Sequence, residues 1–113
     1  MTDEVPEIGM SGSIRKATEK MTGKERALLR SQAHHLDPVV HVGKESLTPE
    51  VTAAIAEALE ARELIKVGVL KNCMDDPGEI AQIVAERTGS QVIQVMGKKI
   101  TLYKYNPKKH KEN

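Results

Sequence analysis

One short string of this sequence has the residue types of an anion-binding loop. The apolar run 39–42 is typical of a short strand and is followed directly by the string 43–46, Gly-Lys-Glu-Ser. Thr48 and Pro49 then suit the N-cap and the first position of a helix. Such a turn points backbone N–H groups outward at the positive end of a helix, where a phosphate binds well. Many turns of this kind bind nothing, so phosphate contact is a hypothesis. The predicted contacts are Gly43, Lys44 and Ser46.

The positive charge of the chain is unevenly distributed. There are 17 Lys and Arg residues against 16 Asp and Glu, a formal net charge of +1, but residues 97–113 contain six lysines and one acid. A near-neutral protein with one basic region can bind a polyanion on one surface and stay soluble. A solvated lysine tail or helix face would show the same pattern. The side chains predicted to surround the phosphate site are Arg26, Arg30, Lys66, Lys98, Lys99 and Lys104.

Aromatic residues are scarce, with two Tyr and neither Phe nor Trp. Nucleic-acid recognition that stacks several bases on a row of aromatic rings is therefore excluded. Any contact with RNA is expected to involve its backbone and its shape.

Local signals predict the elements that position these residues. A capping box at Thr22 and Glu25 predicts a helix to about Leu36, which would bury Leu28, Leu29, Gln32 or Ala33, and Leu36. A strand at 39–42 and a helix at 49–62 follow, the helix burying Val51, Ile55, Ala58 and Leu59. Alternation predicts a strand at 63–70. Asp76 and Gly89 bracket a third helix, and 91–96 and 100–105 are typical of a hairpin.

The predicted order is αβαβαββ, an α/β domain in two layers with helices packed on a four-stranded mixed sheet. The first two strands are expected to be parallel, because a helix connects them. Lys66 and Lys104 are expected on the same open face of the sheet. We predict a flexible extension at 1–20, the domain at 21–105 and a basic tail at 106–113.

No enzyme signature is present. The neighbouring side chains of His34 and His35 diverge, and neither they nor His41 form a recognised metal-ligand spacing with Cys or carboxylate residues. The single cysteine, Cys73, excludes an internal disulfide and is expected to be an inert thiol in a reducing cytoplasm. No apolar run has membrane-spanning length, and the first twenty residues lack a signal-peptide core. We therefore predict no catalytic residue, cofactor, metal or small-molecule substrate.

The order and spacing of several strings resemble the CRM (chloroplast RNA-splicing and ribosome maturation) domain in its stand-alone bacterial YhbY-like form. These strings together span roughly residues 21–105. They are KERALLR at 24–30, LDPVV at 36–40, VGK at 42–44, LT at 47–48, AL at 58–59, ELIKV at 63–67 and GKKITLY at 97–103.

The resemblance implies an RNA-binding domain with a fold similar to the C-terminal domain of bacterial initiation factor three. It also implies association with precursors of the large ribosomal subunit. The string 43–46 would then correspond to a Gly-x-x-Gly motif, analogous to the backbone-clamping loop of KH domains. Ser46 replaces the second glycine, and serine accepts a positive φ less readily. Glu45 adds a negative charge, whereas Ser46 can offer a hydroxyl.

Together these features predict a non-enzymatic RNA-binding protein that docks on structured rRNA and assists large ribosomal subunit assembly. Its expected partners are rRNA of the large-subunit precursor and ribosomal proteins. An alternative is a protein-interaction adaptor in ribosome assembly or translation, which would use the sheet or the acidic second helix without touching RNA. A small enzyme based on Cys73 or the histidines is a third hypothesis.

Overall fold

The computed structural model describes residues 21–110. The predicted extension at 1–20 and the last three residues of the predicted tail lie outside this range. The element order αβαβαββ is confirmed, with a short 3-10 helix, Pro107–His110, after the last strand. The helices and strands are α1 Gly23–Ala33, β1 Pro38–Val42, α2 Pro49–Arg62, β2 Leu64–Val69, α3 Pro77–Thr88, β3 Gln91–Met96 and β4 Lys99–Tyr103.

The strands form one four-stranded mixed sheet in the order β1-β2-β4-β3. β1 runs parallel to β2, with His41 opposite Gly68 and Val42 opposite Val69. β4 is antiparallel to both of its neighbours, β2 and β3. The mixed sheet and its parallel pair are as predicted. In this arrangement β1 and β3 are the edge strands.

The main core lies between one face of the sheet and helices α2 and α3. Ile55 and Leu59 of α2 are completely buried, as the sequence predicts, and Val51 and Ala58 pack against them. α3 and the strands supply most of the remaining core, namely Ile80, Ala81, Val84, Val42, Ile65, Val67, Val69, Ile100 and Leu102. Removing this apolar surface from water is the largest favourable contribution to the stability of the fold.

The helices begin where local capping chemistry predicts. In α1, the Glu25 N–H donates to Thr22 Oγ1 at 3.1 Å, and the Thr22 N–H donates to Glu25 Oε1 at 3.0 Å. In α3, the Asp76 carboxylate accepts from the N–H groups of Gly78 and Glu79. These bonds satisfy N–H groups that have no partner within the helix.

The buried face predicted for α1 is confirmed at Ala33 and wrong at Leu28 and Leu36, and Leu29 is half-buried. Leu28 is 59% exposed, Gln32 and Leu36 are also exposed, and only Ala33 is buried, at 2%. The helix ends at Ala33, before Leu36, and contacts β2 and β3. The small side chain of Ala33 is therefore the buried centre of the α1 contact, and Leu28 and Leu36 lie outside it.

Arg26 fastens α1 to the edge strand β3. Its Nη1 donates to the carbonyl oxygen of Val92 at 2.6 Å and to that of Ile93 at 3.2 Å. The strand register shifts between Val92 and Gln94, so these carbonyls lie at an irregularity of the β3–β4 ladder. Unpaired backbone groups of an edge strand can pair with another chain. The Arg26 guanidinium binds two of these groups in β3.

The residues after β4 are fixed against the end of α2. The Asn106 N–H donates to Glu63 Oε2 at 2.7 Å, and Asn106 Nδ2 donates to the Glu60 carbonyl at 2.7 Å. Lys108 and Lys109 of the predicted basic tail follow in the 3-10 helix. Within residues 21–110, none of the helices combines the length and apolar character needed to cross a membrane.

Arg26→Ala should lower the free energy of unfolding by about 1–3 kcal/mol, because two bonds from a charged donor are lost. Arg30→Ala, four residues along the same helix and exposed, should change it by less than about 0.5 kcal/mol. Urea denaturation of both variants measures the difference. Equal stabilities would contradict a structural role for Arg26.

Candidate nucleic-acid interface

The string 43–46 forms a tight turn between β1 and α2. The Ser46 N–H donates to the Gly43 carbonyl at 2.9 Å, and Lys44 and Glu45 are exposed at the tip. Ser46 has φ of 60°, which is the left-handed region. Ser46 stands where a Gly-x-x-Gly motif has its second glycine, and its backbone is left-handed. Serine adopts this conformation despite the steric cost to an L residue.

The Ser46 hydroxyl is engaged within the protein. Its Oγ donates to Oδ2 of Asp75, which lies in the loop between β2 and α3. Sequence reasoning missed this partner because 29 residues separate the two side chains. The signal that could have found it is the parallel pairing of β1 and β2, since loops that follow neighbouring parallel strands leave the sheet at the same edge.

Several N–H groups around the turn are possible donors for an anion, among them those of Lys44, Glu45 and Glu50. The Thr48 hydroxyl caps α2 by accepting from the Val51 N–H at 3.1 Å, and Pro49 has no N–H. Among residues 21–110, no acceptor partners the N–H groups of Lys44, Glu45 and Glu50. With the Lys44 ammonium, they can hold a phosphate at the positive end of α2.

The β3–β4 hairpin brings two further predicted lysines to this edge. The Val69 N–H, at the end of β2, donates to the Lys98 carbonyl at 2.7 Å. Gly97 supplies the positive φ of 59° that the turn requires, and Lys98 and Lys99 are exposed. We call the turn 43–46 together with Lys98 and Lys99 the basic edge. It joins sequence segments more than fifty residues apart.

Lys66 lies on the sheet face opposite to the main core. Cross-strand pairing places His41, Gly68 and Lys99 in one row of this face, and Lys66 is two residues from Gly68. The His41 ring covers Gly68 so closely that a Cβ built there would be 2.9 Å from His41 Cδ2. Within the described strands, no acidic residue shares this face with Lys66.

The expectation that Lys66 and Lys104 share a face is wrong. Lys66 pairs with Thr101, so Lys104, three positions further on, falls on the other side. Its Nζ lies 3.8 Å from the Cβ position of Gly89, the C-cap of α3. There its charge complements the negative end of the helix dipole.

The six basic residues predicted around the loop therefore do not form one cluster. Lys98 and Lys99 lie at the same end of the sheet as the turn, and Lys66 lies on the face opposite to the main core. Lys104 lies at the end of α3, Arg26 binds β3, and Arg30 is exposed on α1.

Cys73 and the histidines are the residues that could support catalysis or metal binding. Cys73 is 5% exposed and belongs to the main core cluster, so its thiol is shielded from solvent. His34 and His35 form an edge-to-face ring pair with centroids 5.3 Å apart. In the part of the chain that the structure describes, no three His, Cys, Asp or Glu residues are grouped to hold a metal ion.

Comparison with known proteins identifies the family. The model of the CRS1 / YhbY (CRM) domain matches residues 21–104, from the residue before the α1 N-cap to the end of the sheet. The chain belongs to the CRS1/YhbY (CRM) domain family. This match includes the turn, the hairpin lysines and every strand of the sheet.

Relatives of this CRM domain occur in bacteria and archaea. It is 49% identical over 84 residues to the probable RNA-binding protein YqeI of Bacillus subtilis, covering 74% of this chain and 88% of that protein. It is 42% identical over 87 residues to a probable RNA-binding protein of Methanocaldococcus jannaschii, covering 75% of this chain and 64% of that protein.

A solved structure shares the fold. The solution structure of a hypothetical Staphylococcus aureus protein, described as a candidate RNA-binding protein, matches with a TM-score of 0.67 and 41% identity. The match covers 83% of this CRM domain and 94% of that chain.

A comparison of Ser46→Gly with Ser46→Ala separates the free-energy cost of the positive φ from the contribution of the hydroxyl bond to Asp75. Both variants lose the bond to Asp75, but only glycine adopts a positive φ without steric cost. Ser46→Gly should therefore be more stable than Ser46→Ala by about 1 kcal/mol. Urea denaturation of the two variants measures this. Equal stability, or a more stable alanine variant, would contradict a left-handed Ser46.

Proposed function

We propose that this CRM domain binds RNA through the basic edge, docks on structured rRNA and assists large ribosomal subunit assembly. The observation that carries the proposal is that the Gly43–Ser46 turn and the exposed Lys98 and Lys99 lie at the same end of the sheet. The RNA-binding names of the relatives support RNA as the partner. The likeness to YhbY-like proteins, expected to associate with large-subunit precursors, supports rRNA, with ribosomal proteins as further partners.

The proposed mechanism is electrostatic docking on the RNA backbone. A phosphate would accept from the N–H groups of Lys44 and Glu45 and pair with the Lys44 ammonium. Lys98 and Lys99 would bind neighbouring phosphates, and Lys66 would extend the positive potential across the adjoining face. Contacts of this kind position a protein on RNA without reading its bases, which suits a chain with two aromatic residues.

We propose binding without catalysis, in the cytoplasm. The only thiol of the chain is packed in the core, where it supports the sheet and is poorly placed to attack a substrate. A single cysteine suits a reducing compartment. The buried thiol and the single cysteine support this proposal independently of the basic edge.

Lys44→Glu should weaken binding to a structured large-subunit rRNA fragment at least about tenfold at low salt, because a phosphate contact becomes a repulsion. The logarithm of the association constant should also fall less steeply with the logarithm of salt concentration, by about one unit of slope. Fluorescence anisotropy across a salt series measures both quantities.

Lys24→Glu is the matched control. It makes the same charge change at an exposed position in the first turn of α1, and its effect on binding should be small. Equal losses in the two variants would indicate attraction by net charge alone and would contradict a specific role for the turn.

A further inference from the structure

We infer that the loop joining β2 to α3, residues 70–76, is a second RNA-contacting wall of the same site. Lys71 would bind a backbone phosphate, and Met74 would pack on a nucleobase. The inference rests on the proposed RNA binding and adds a surface that neither the Gly-Lys-Glu-Ser string nor the predicted lysines include.

The loop 70–76 is held against the end of β1 and the turn 43–46. The contacts come from both ends of the loop and from its middle. The Leu70 N–H donates to the Val42 carbonyl at 2.8 Å, and Asp75 accepts from the Ser46 hydroxyl. Between these contacts, a Cβ built on Gly43 would lie 3.4 Å from Leu70 Cδ1 and 3.6 Å from Asn72 Oδ1. The two loops therefore form one continuous surface with Gly43 at their junction.

Cys73 determines which side chains the loop presents. Its side chain is buried in the core, and its N–H donates to the Leu70 carbonyl at 3.0 Å. The residues beside it, Lys71, Asn72 and Met74, are all exposed, and Met74 is 91% exposed. Because Cys73 anchors the loop, the side chains of Lys71, Asn72 and Met74 are presented on its outer side. An anchored loop also loses less conformational entropy on binding a ligand than an unanchored loop does.

The loop has one cation, Lys71, and two carboxylates, both of which are engaged in hydrogen bonds within the protein. Asp75 is hydrogen-bonded to Ser46, and Asp76 accepts from two N–H groups of α3. Lys71 is the cation of the loop and adjoins the basic edge. A polyanion that contacts Lys44 can therefore reach Lys71 on the same surface, and RNA supplies such a row of phosphates.

Met74 suits the other chemical component of RNA. An isolated exposed apolar side chain is common and carries no meaning alone. Here the exposed thioether is in the same loop as Lys71, three residues further along the chain. Methionine sulfur packs favourably on aromatic rings, and an unstacked nucleobase offers such a ring. One contact of this kind needs no row of aromatic side chains.

The test compares Lys71→Ala and Met74→Ala with Lys24→Ala and Ile83→Ala in the full chain, using the structured large-subunit rRNA fragment. Lys71→Ala should weaken binding about threefold to tenfold at low salt and reduce the salt slope by about one unit. Met74→Ala should weaken binding about threefold and leave the slope unchanged. The two controls, an exposed lysine on α1 and an exposed isoleucine on α3, should bind as the unmodified chain does.

The outcomes distinguish this inference from the proposed function. If Lys44→Glu weakens binding while Lys71→Ala and Met74→Ala match their controls, the second wall is wrong and the basic edge remains. If the unmodified chain does not bind the fragment, both fail. If the two loop variants bind RNA normally but lose a ribosomal protein in nuclease-treated pull-downs, the loop contacts protein, and the inference is overturned.

Discussion

The parallel pairing of β1 with β2 is the constraint on which the rest of the site depends. It sets Val42 beside Val69 and lets the Leu70 N–H donate to the Val42 carbonyl. As a result, the loops that follow these strands leave the sheet side by side. β4 runs antiparallel to β2 and begins at the same end, so its hairpin joins them. Three loops distant in sequence thus meet where α2 presents its positive end, and an RNA backbone could contact all three.

The electrostatic character of the edge is mixed, and this mixture explains how serine replaces glycine. Ser46 adopts a left-handed conformation that costs an L residue about 1–2 kcal/mol. Its hydroxyl bond to Asp75 offsets part of that cost and ties the two loops together. The same bond engages the carboxylate of Asp75, and Glu45 is the acid at the tip of the turn itself. Lys44, Lys71, Lys98 and Lys99 are the exposed cations at this end of the sheet.

Features with a local cause could be predicted from the sequence, and features that depend on tertiary packing could not. The caps at Thr22, Thr48 and Asp76 and the left-handed stop at Gly89 depend only on nearby residues, so the three helix starts and the end of α3 agree with the prediction, whereas α1 ends earlier, at Ala33. The predicted burial of Leu28 and Leu36 was wrong because α1 is held partly by Arg26, whose partners lie on the distant strand β3. The face of Lys104 and the partner of Ser46 likewise follow from strand pairing. Their neighbours in space are therefore not their neighbours in sequence.

The central claim is that the basic edge binds rRNA of the large-subunit precursor. Ultraviolet crosslinking of the full chain to RNA in cells, followed by sequencing of the bound RNA, tests it most directly. If the basic edge binds this RNA, reads should concentrate at defined positions of large-subunit rRNA precursors and should be lost in the Lys44→Glu variant. Reads spread over unrelated transcripts, or an unchanged pattern in that variant, would contradict it.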